Sequence, residues 1–434
     1  MSTGVLLVLI LLGIVCSILG SYKFKINAGI IAICFAWAIG CFGLDMKVKE
    51  IVSFWPTSIV FRLMALTMFF SFAVQNGTLK RLADNFLYTC RNRKWLIPMG
   101  IYMMAFAICA CGSAPPVGNS IMAVISFSIA VEAGLDPWMT AAAVCFGASA
   151  GAFLPYAEQG SVVFGIVESY FPDTAGSFVW KMFICFFLFS FLYTVLLGIL
   201  RKGFKLKDFE IIQPEPLTAE HKKTLAVILI VVALVLIPTL LKLFIDSPFL
   251  AKMTKYFDVQ MLAIVGSLVL SAMKLGDLRT AITKGCPWYT FVMFGGMTML
   301  LGVATHGGVT DYIAEWLGSS VPAWSYGALF MILGGFLSCF SSALTVVFPM
   351  LAAIAVPLAA ATGINSTELL LCIGMGASLT AVSPFSSGGA LVMEHDAGQG
   401  EALRQAALAV GFEAALTGQD LTGRDRYLRA VRAL

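Results

Sequence analysis

Apolar runs of spanning length dominate this chain. From residue 4 to residue 394, stretches of about 20 hydrophobic residues, enough to cross a bilayer, alternate with short polar segments. Hydrophobic residues make up 59% of the chain and charged residues 12%, against about 25% charged in a soluble domain. Backbone polar groups inside hydrocarbon must find partners within the protein, and a helix provides them locally. The expected fold class is an all-α polytopic membrane protein.

The first run, MSTGVLLVLILLGIVCSILG, has neither the basic start nor the small-residue cleavage site of a secretory leader, and reads as a retained first helix. The net charge of +4 sits in loops, where it orients the chain and gives no nucleic-acid signal. Eleven cysteines are scattered, most of them inside apolar runs, and three histidines, His221, His306 and His395, lie far apart. Neither set has metal-ligand spacing. Cysteines inside apolar runs, such as Cys34, Cys145 and Cys185, are expected to pack rather than to do redox chemistry, since buried free cysteines behave as small hydrophobes.

Spanning helices are expected near 4–20, 27–43 and 55–75. GTLKRLADNFLYTCRNRKW is too polar to span and reads as an interfacial amphipathic helix. Apolar segments follow at 95–134, 138–168 and 177–200, then a polar linker at 201–222. Further runs fall at 223–245, 258–274 and 286–305, followed by a short acidic segment near 308–320 and runs at 324–362 and 367–394.

The halves resemble each other. A shift of 229 lays GASAGAFLPYAEQG on GASLTAVSPFSSGG and Ser113-Ala114 on Ser342-Ala343; with one more residue Gly77 meets Gly307. A shared register across so much chain points to a duplication. The first repeat is 1–200, with a hairpin at 95–134 and a broken helix at 138–168. The second is 223–394, with a hairpin at 324–362 and a broken helix at 367–394.

Lys and Arg cluster at 78–94, 201–223 and 274–284, and are missing from 170–176 and 306–323. Basic loops stay cytoplasmic. All three fall on one side only if 95–134 returns to its own side as a re-entrant hairpin. Each repeat then crosses an odd number of times and the two are inverted, an architecture common in secondary transporters. The expected location is the cell (inner) membrane.

The first hairpin turns at CGSAPPVGNS. A polar tip at bilayer depth is tolerated only when buried in protein or lining a cavity. Gly112 and Gly118 permit a tight turn, Pro115 and Pro116 break the helix, and Ser113, Asn119 and Ser120 supply neutral hydrogen-bonding groups. The second tip, SCFSSALTVVFP, offers Ser341, Ser342 and Thr345. The helices after the tips break at Pro155 and Pro384, with Ser386 and Ser387 beside the second break. Exposed helix N-termini attract anions and freed carbonyls hold cations. Substrate is therefore expected between tips and breaks. Glu158, with Ser149, Ser378 and Thr380, forms the expected ion-coupling set, and a sodium position is expected near Gly112, Gly151, Ser341 and Ala381. An ionisable group in a membrane segment is a functional candidate by default; the alternative for Glu158 is a solvated outer mouth. Arg62 reads as structural or snorkelling, with anion attraction as the sharper alternative. His306 reads as interfacial.

FAVQNGTLKRLAD, the hairpin around CGSAPPVGNS, GASAGAFLPYAEQGSVVFG and SPFSSGGALV together resemble the ion transporter superfamily with the divalent anion/sodium symporter fold, and most closely the MatC-type malonate/dicarboxylate carriers. The resemblance covers about residues 1–394. It implies a homodimer whose transport domains move by an elevator motion. It also implies a dicarboxylate held by Ser113, Ala114 and Asn119 at one tip and Ser341, Ser342 and Thr345 at the other, often with sodium. The tips here read GSAPP and SSALT in place of the family's Ser-Asn-Thr triplets.

After residue 395 the composition changes: Lys is absent, and Ala, Arg, Gly and Leu dominate. A helix matching 177–200 is expected at 406–429, but AALAVGFEAALTGQDLTGRDRYLR cannot span. This tail, 395–434, reads as a truncation, a frameshifted end or a fused segment, with a cytoplasmic amphipathic extension as the alternative. The expected activity is ion-coupled secondary transport of small dicarboxylates, driven by sodium or protons. The alternatives are a sodium/proton antiporter or an inorganic-anion permease. No Walker A sequence is present. Nor is there a G-x-S-x-G or H-E-x-x-H constellation for an intramembrane enzyme, so a non-enzyme without organic cofactors is expected.

Overall fold

The computed structural model describes residues 2–24, 26–90, 94–201, 203–204, 214–241, 245, 247–339, 342–382, 414–419 and 425–431. Up to residue 382 these are helical. The first half contains α1 (Thr3–Phe24), α2 (Ala28–Ala38), α3 (Val48–Ser53), α4 (Thr57–Gln75), α5 (Thr78–Thr89), α6 (Ile97–Ala110), α7 (Pro115–Ala133), α8 (Pro137–Ala152), α9 (Glu158–Tyr170) and α10 (Ala175–Leu200). The second contains α11 (Ala219–Leu241), α12 (Pro248–Tyr256), α13 (Val259–Ala272), α14 (Leu278–Thr280), α15 (Trp288–His306), α16 (Val309–Ser320), α17 (Tyr326–Ser338), α18 (Phe348–Thr362) and α19 (Ser366–Ser378). The short helix α12 is an element the hydropathy pattern does not distinguish. Among the described residues, six helices are long and apolar enough to cross a membrane. Phe42, Leu192 and Leu200 are among the large apolar side chains left exposed, as suits helices solvated by lipid.

The duplication is visible in the element boundaries. α6 and α8 begin at 97 and 137, and α17 and α19 begin 229 residues later, at 326 and 366. α4 and α5 begin at 57 and 78, and α15 and α16 begin 231 residues later, at 288 and 309. The caps repeat too: Asp136 and Asn365 cap α8 and α19 with their side chains, and Gly134 and Gly363 end the preceding helices at positive φ. One pairing is corrected. Gly77 (φ +74°) corresponds to Gly308 (φ +72°) rather than Gly307, which has φ −80°. Both left-handed residues open the amphipathic helix, and that backbone geometry selects glycine.

The repeats are inverted. Position 285, just before α15, lies against Ser71 of α4, and Cys286 Sγ lies 3.7 Å from Met64 O. Further along, Gly295 abuts the Trp55 ring and Gly302 the Phe54 ring. The residues ahead of α15 thus lie beside the body of α4, and residues along α15 lie beside Phe54 and Trp55, which precede α4, so the two counterparts run antiparallel.

Close helix packing explains why α8 is so rich in Gly, Ala and Ser. Lipid tails supply no hydrophobic drive between helices, so contact depends on small residues that let backbones approach. A Cβ on Gly147 would fall 2.3 Å from Tyr102 O, and one on Gly151 would fall 2.1 Å from Phe106 O. The second repeat makes the same contact at the same spacing: a Cβ on Gly376 would fall 2.1 Å from Met331 O. On its other face α6 meets α10, where Tyr102 and Ser190 share a buried 2.8 Å hydrogen bond.

The three basic segments meet at one end of the bundle. Asn76 Nδ2 donates to Thr224 Oγ1 (2.7 Å) and Leu275 O (3.1 Å). His221 Nε2 lies 3.0 Å from Asn76 O, Arg81 pairs with Glu215, and the Asp277 N–H donates to Gln75 Oε1 (2.9 Å). Arg62 takes the structural role: its guanidinium sits over the Phe164 ring at 4.5 Å and 3.8 Å from Glu168 Oε2, tying α4 to α9. In the tail, β1 (Ala414–Gln419) pairs antiparallel with β2 (Asp425–Val431).

Candidate functional site

Each repeat builds a tip and a break. At the first tip, α6 stops at Ala110 and the Gly112 N–H donates to Cys109 O (2.8 Å). Gly112 has φ +85°, and a Cβ there would lie 1.7 Å from the Phe70 ring, so this turn needs glycine both for its backbone and for its packing. Ala114 is extended and α7 starts on Pro115. Ser113 is 3% exposed and Asn119 2% exposed. The Ser113 hydroxyl donates to Ala114 O only at 3.5 Å, and Asn119 Oδ1 has no partner among the described residues.

At the first break, α8 ends at Ala152 and the chain folds back through 153–157, with Gly160 tight against Leu154 O. Pro155 lies in this turn, and its carbonyl accepts from Ser161 Oγ at 3.4 Å. Glu158 opens α9, where the helix dipole favours a negative charge. Its Oε2 and the neighbouring Gln159 Oε1 are buried without hydrogen-bond partners among the described residues. Glu158 is within electrostatic reach of Cys109, and Tyr156 of Cys111, so the first break stands beside the first tip. Ser149 is buried on α8. Gly151 packs against Phe106 O and Ala110 N, at the end of the helix that leads into Gly112.

At the second tip, Ser342 is extended and a π-helical turn, Ala343–Val347, leads into α18. Ser342 and the buried Thr345 are hydrogen-bonded through their hydroxyls. At the second break, α19 passes into a 3₁₀ turn, Leu379–Val382. Thr380 Oγ1 and Ser338 Oγ share a 2.6 Å hydrogen bond, while buried Ser378 Oγ has no partner among the described residues. Ser341, Pro384, Ser386 and Ser387 lie outside the described residues, and Ala381 is placed in the 3₁₀ turn by its backbone alone.

The halves interlock here. The π-helical turn of the second tip packs on α9, and the 3₁₀ turn of the second break packs on α8. A cavity of about 150 Å³ opens at the first tip, lined by Gly112, Ser113 and Ala114. Its other wall is Thr67, Ser71 and Gln75 of α4, closed by Thr280 and Lys284. Ser342 and Thr345 do not line it. Lys284 enters the sequence pattern only as a topology-setting charge. Its place in this cavity depends on a fold contact that no local motif marks. Among the described residues, no group of three His, Cys, Asp or Glu side chains is arranged to hold a metal ion.

The class that fold and site define is an all-α polytopic membrane protein of two inverted repeats, each with a helical hairpin and a broken helix. Residues 1–152 match the family described as dicarboxylate carrier protein MatC N-terminus. Among solved structures, the Alcanivorax borkumensis YdaH transporter, described as having an unusual topology, superimposes with a TM-score of 0.51 at 16% identity. The match covers 80% of this chain and 78% of that one. That likeness is one of fold. A curated relative, the release factor glutamine methyltransferase of Bifidobacterium longum (strain NCC 2705), is 68% identical over 44 residues. The match is 10% of this chain, which spans only 15% of that protein's length.

Proposed function

We propose that this chain is a secondary active transporter of small dicarboxylates of the malonate and C4 class, working by ion-coupled, elevator-type alternating access as a homodimer. The observation that carries the reading is the interlock of two inverted repeats, the second tip against α9 and the second break against α8. The N-terminal match to a dicarboxylate carrier family supports the substrate class. In this reading Ser113, Ala114, Asn119, Ser342 and Thr345 face the substrate, with Ser341, Pro155, Pro384, Ser386 and Ser387 completing the two ends. Sodium as co-transported cargo would take oxygens near Gly112, Gly151, Ser341 and Ala381, with Ser149, Ser378 and Thr380 nearby. The chain sits in the cell (inner) membrane with its basic end in the cytoplasm, and performs no catalysis.

One observation favours proton coupling. Glu158 Oε2 is buried without a hydrogen-bond partner among the described residues, the placement of a group that alternately carries and releases a proton. The same carboxylate suits an antiporter on this fold, the second reading. For the tail, the change of composition after residue 395 and the β1–β2 hairpin support a fused segment.

Uptake of labelled malonate and succinate into proteoliposomes tests the reading, under an inward sodium gradient, an inward proton gradient, or neither. Saturable uptake raised by one gradient is expected. Flux of neither acid, from protein shown to be folded, overturns the dicarboxylate assignment.

A further inference from the structure

The N-terminus of a helix binds anions mainly through its free N–H groups. The first tip is poor in them. Pro115 and Pro116 occupy the first two positions of α7 and have no N–H to offer. The next two, Val117 N and Gly118 N, already donate to Ala114 O at 2.9 and 3.0 Å. What remains is the helix dipole, the Ala114 N–H, which donates to no acceptor among the described residues, and the Ser113 hydroxyl, 3% exposed and held only by a 3.5 Å contact. A dianion seated here needs a countercharge from elsewhere in the fold.

The cavity at this tip contains one. Lys284, an exposed residue, lines it together with Ser113 and Ala114, and among the described residues is the one charged group in its lining. Among the described residues no carboxylate pairs with Lys284. The acid of the same segment, Asp277, is engaged locally: its Oδ2 accepts from the Thr280 N–H (2.7 Å) and hydroxyl (2.6 Å), its Oδ1 from the Arg279 N–H (3.4 Å). Hydroxyls of Thr67 and Ser71 and the Gln75 amide complete a polar wall opposite the tip. The tip packs on Phe70, five residues and about 7.5 Å of helix rise from the α4 end where the basic segments gather.

We propose that Lys284 is the fixed positive charge of a carboxylate-binding site at the basic-end mouth of the first tip, where one carboxylate of a small dicarboxylate bridges Lys284 and Ser113. This rests on the dicarboxylate reading above. The site lies between the second half of the chain, through Lys284, and the first, through the tip. Substrate bound there holds the two together at the stage when the tip is open to the basic side. It also supplies positive charge at a tip where Pro115 and Pro116 have removed two backbone donors.

The test is calorimetric titration of the purified full chain with malonate and with succinate at low ionic strength and fixed sodium. Wild type, Lys284→Gln, Lys284→Arg and Arg279→Gln are compared. Arg279 carries the same charge on the same segment but does not line the cavity. Loss of a charge-assisted contact corresponds to about tenfold in Kd. The expected pattern is about tenfold weaker binding for Lys284→Gln with a flatter salt dependence, near wild-type binding for Lys284→Arg, and less than about twofold change for Arg279→Gln. Unchanged melting temperatures would show that the variants fold. Wild-type affinity in Lys284→Gln, or an equal loss in Arg279→Gln, overturns the proposal and leaves the dicarboxylate reading standing. Failure of the folded wild type to bind either acid overturns both.

Discussion

Single residues decide whether the tips exist. Gly112 is legible in CGSAPPVGNS as a turn residue, but its second constraint, the Phe70 ring where a Cβ would stand, is a contact between distant segments. Gly112→Ala therefore adds a left-handed backbone penalty of about 1–2 kcal/mol to a steric clash. The expected outcome is a clear fall in melting temperature with loss of uptake, whereas Gly77→Ala, with open space around its Cβ, pays only the backbone penalty. Glu158 is the other residue with a distinct expectation. Glu158→Gln keeps the shape and removes the titrating proton. Uptake driven by a proton gradient should fall at least about tenfold while dicarboxylate binding persists. Unchanged proton-driven uptake would assign coupling to another group.

At the scale of elements, the two repeats use one packing device twice. Gly147 against Tyr102 O and Gly376 against Met331 O are the same contact 229 residues apart. Gly147→Val and Gly376→Val should each push a helix pair apart at a cost of about 1–3 kcal/mol, read as similar drops in melting temperature. A large effect in one half only would contradict the equivalence. The α4–α9 tie gives a graded test. Arg62 stacks on Phe164 and stands 3.8 Å from a half-exposed Glu168. Its stacking, about 1 kcal/mol, outweighs a long and partly solvated ion pair. Arg62→Ala should therefore lower the melting temperature more than Glu168→Gln. The breaks at Pro155 and the repeat register were legible in the sequence because proline and glycine impose local geometry. The one-residue correction from Gly307 to Gly308 was not, because two adjacent glycines look alike until φ is known.

For the whole molecule, the gathering of 78–94, 215–224 and 274–284 at one end makes orientation testable. Single cysteines replacing Lys80, Lys222 and Arg279, in a background lacking reactive native thiols, should all react with an impermeant maleimide from the cytoplasmic side. A cysteine at Asp173 or Asp311 should react from the other. Labelling of the three basic positions from opposite sides would break the assignment. The tail is a separate matter of scale. If it is a fused segment, removing 395–434 should leave the melting temperature of the helical part within about 2 °C of the full chain, since surface changes away from packed features are small.

The sequence by itself determined the class of fold, the order of the main apolar helices, the register of the repeats and the break at Pro155. Each of these follows from local physics: a hydrophobic run of bilayer length, a proline without an N–H, a glycine at positive φ. Tertiary structure alone decided which of those breaks touch, that the counterparts α4 and α15 run antiparallel, and that Lys284 shares a cavity with Ser113. Those facts join residues as far apart as Phe54 and Gly302. Their proximity is set by the summed packing of small residues along many helices, and no short stretch of chain encodes it.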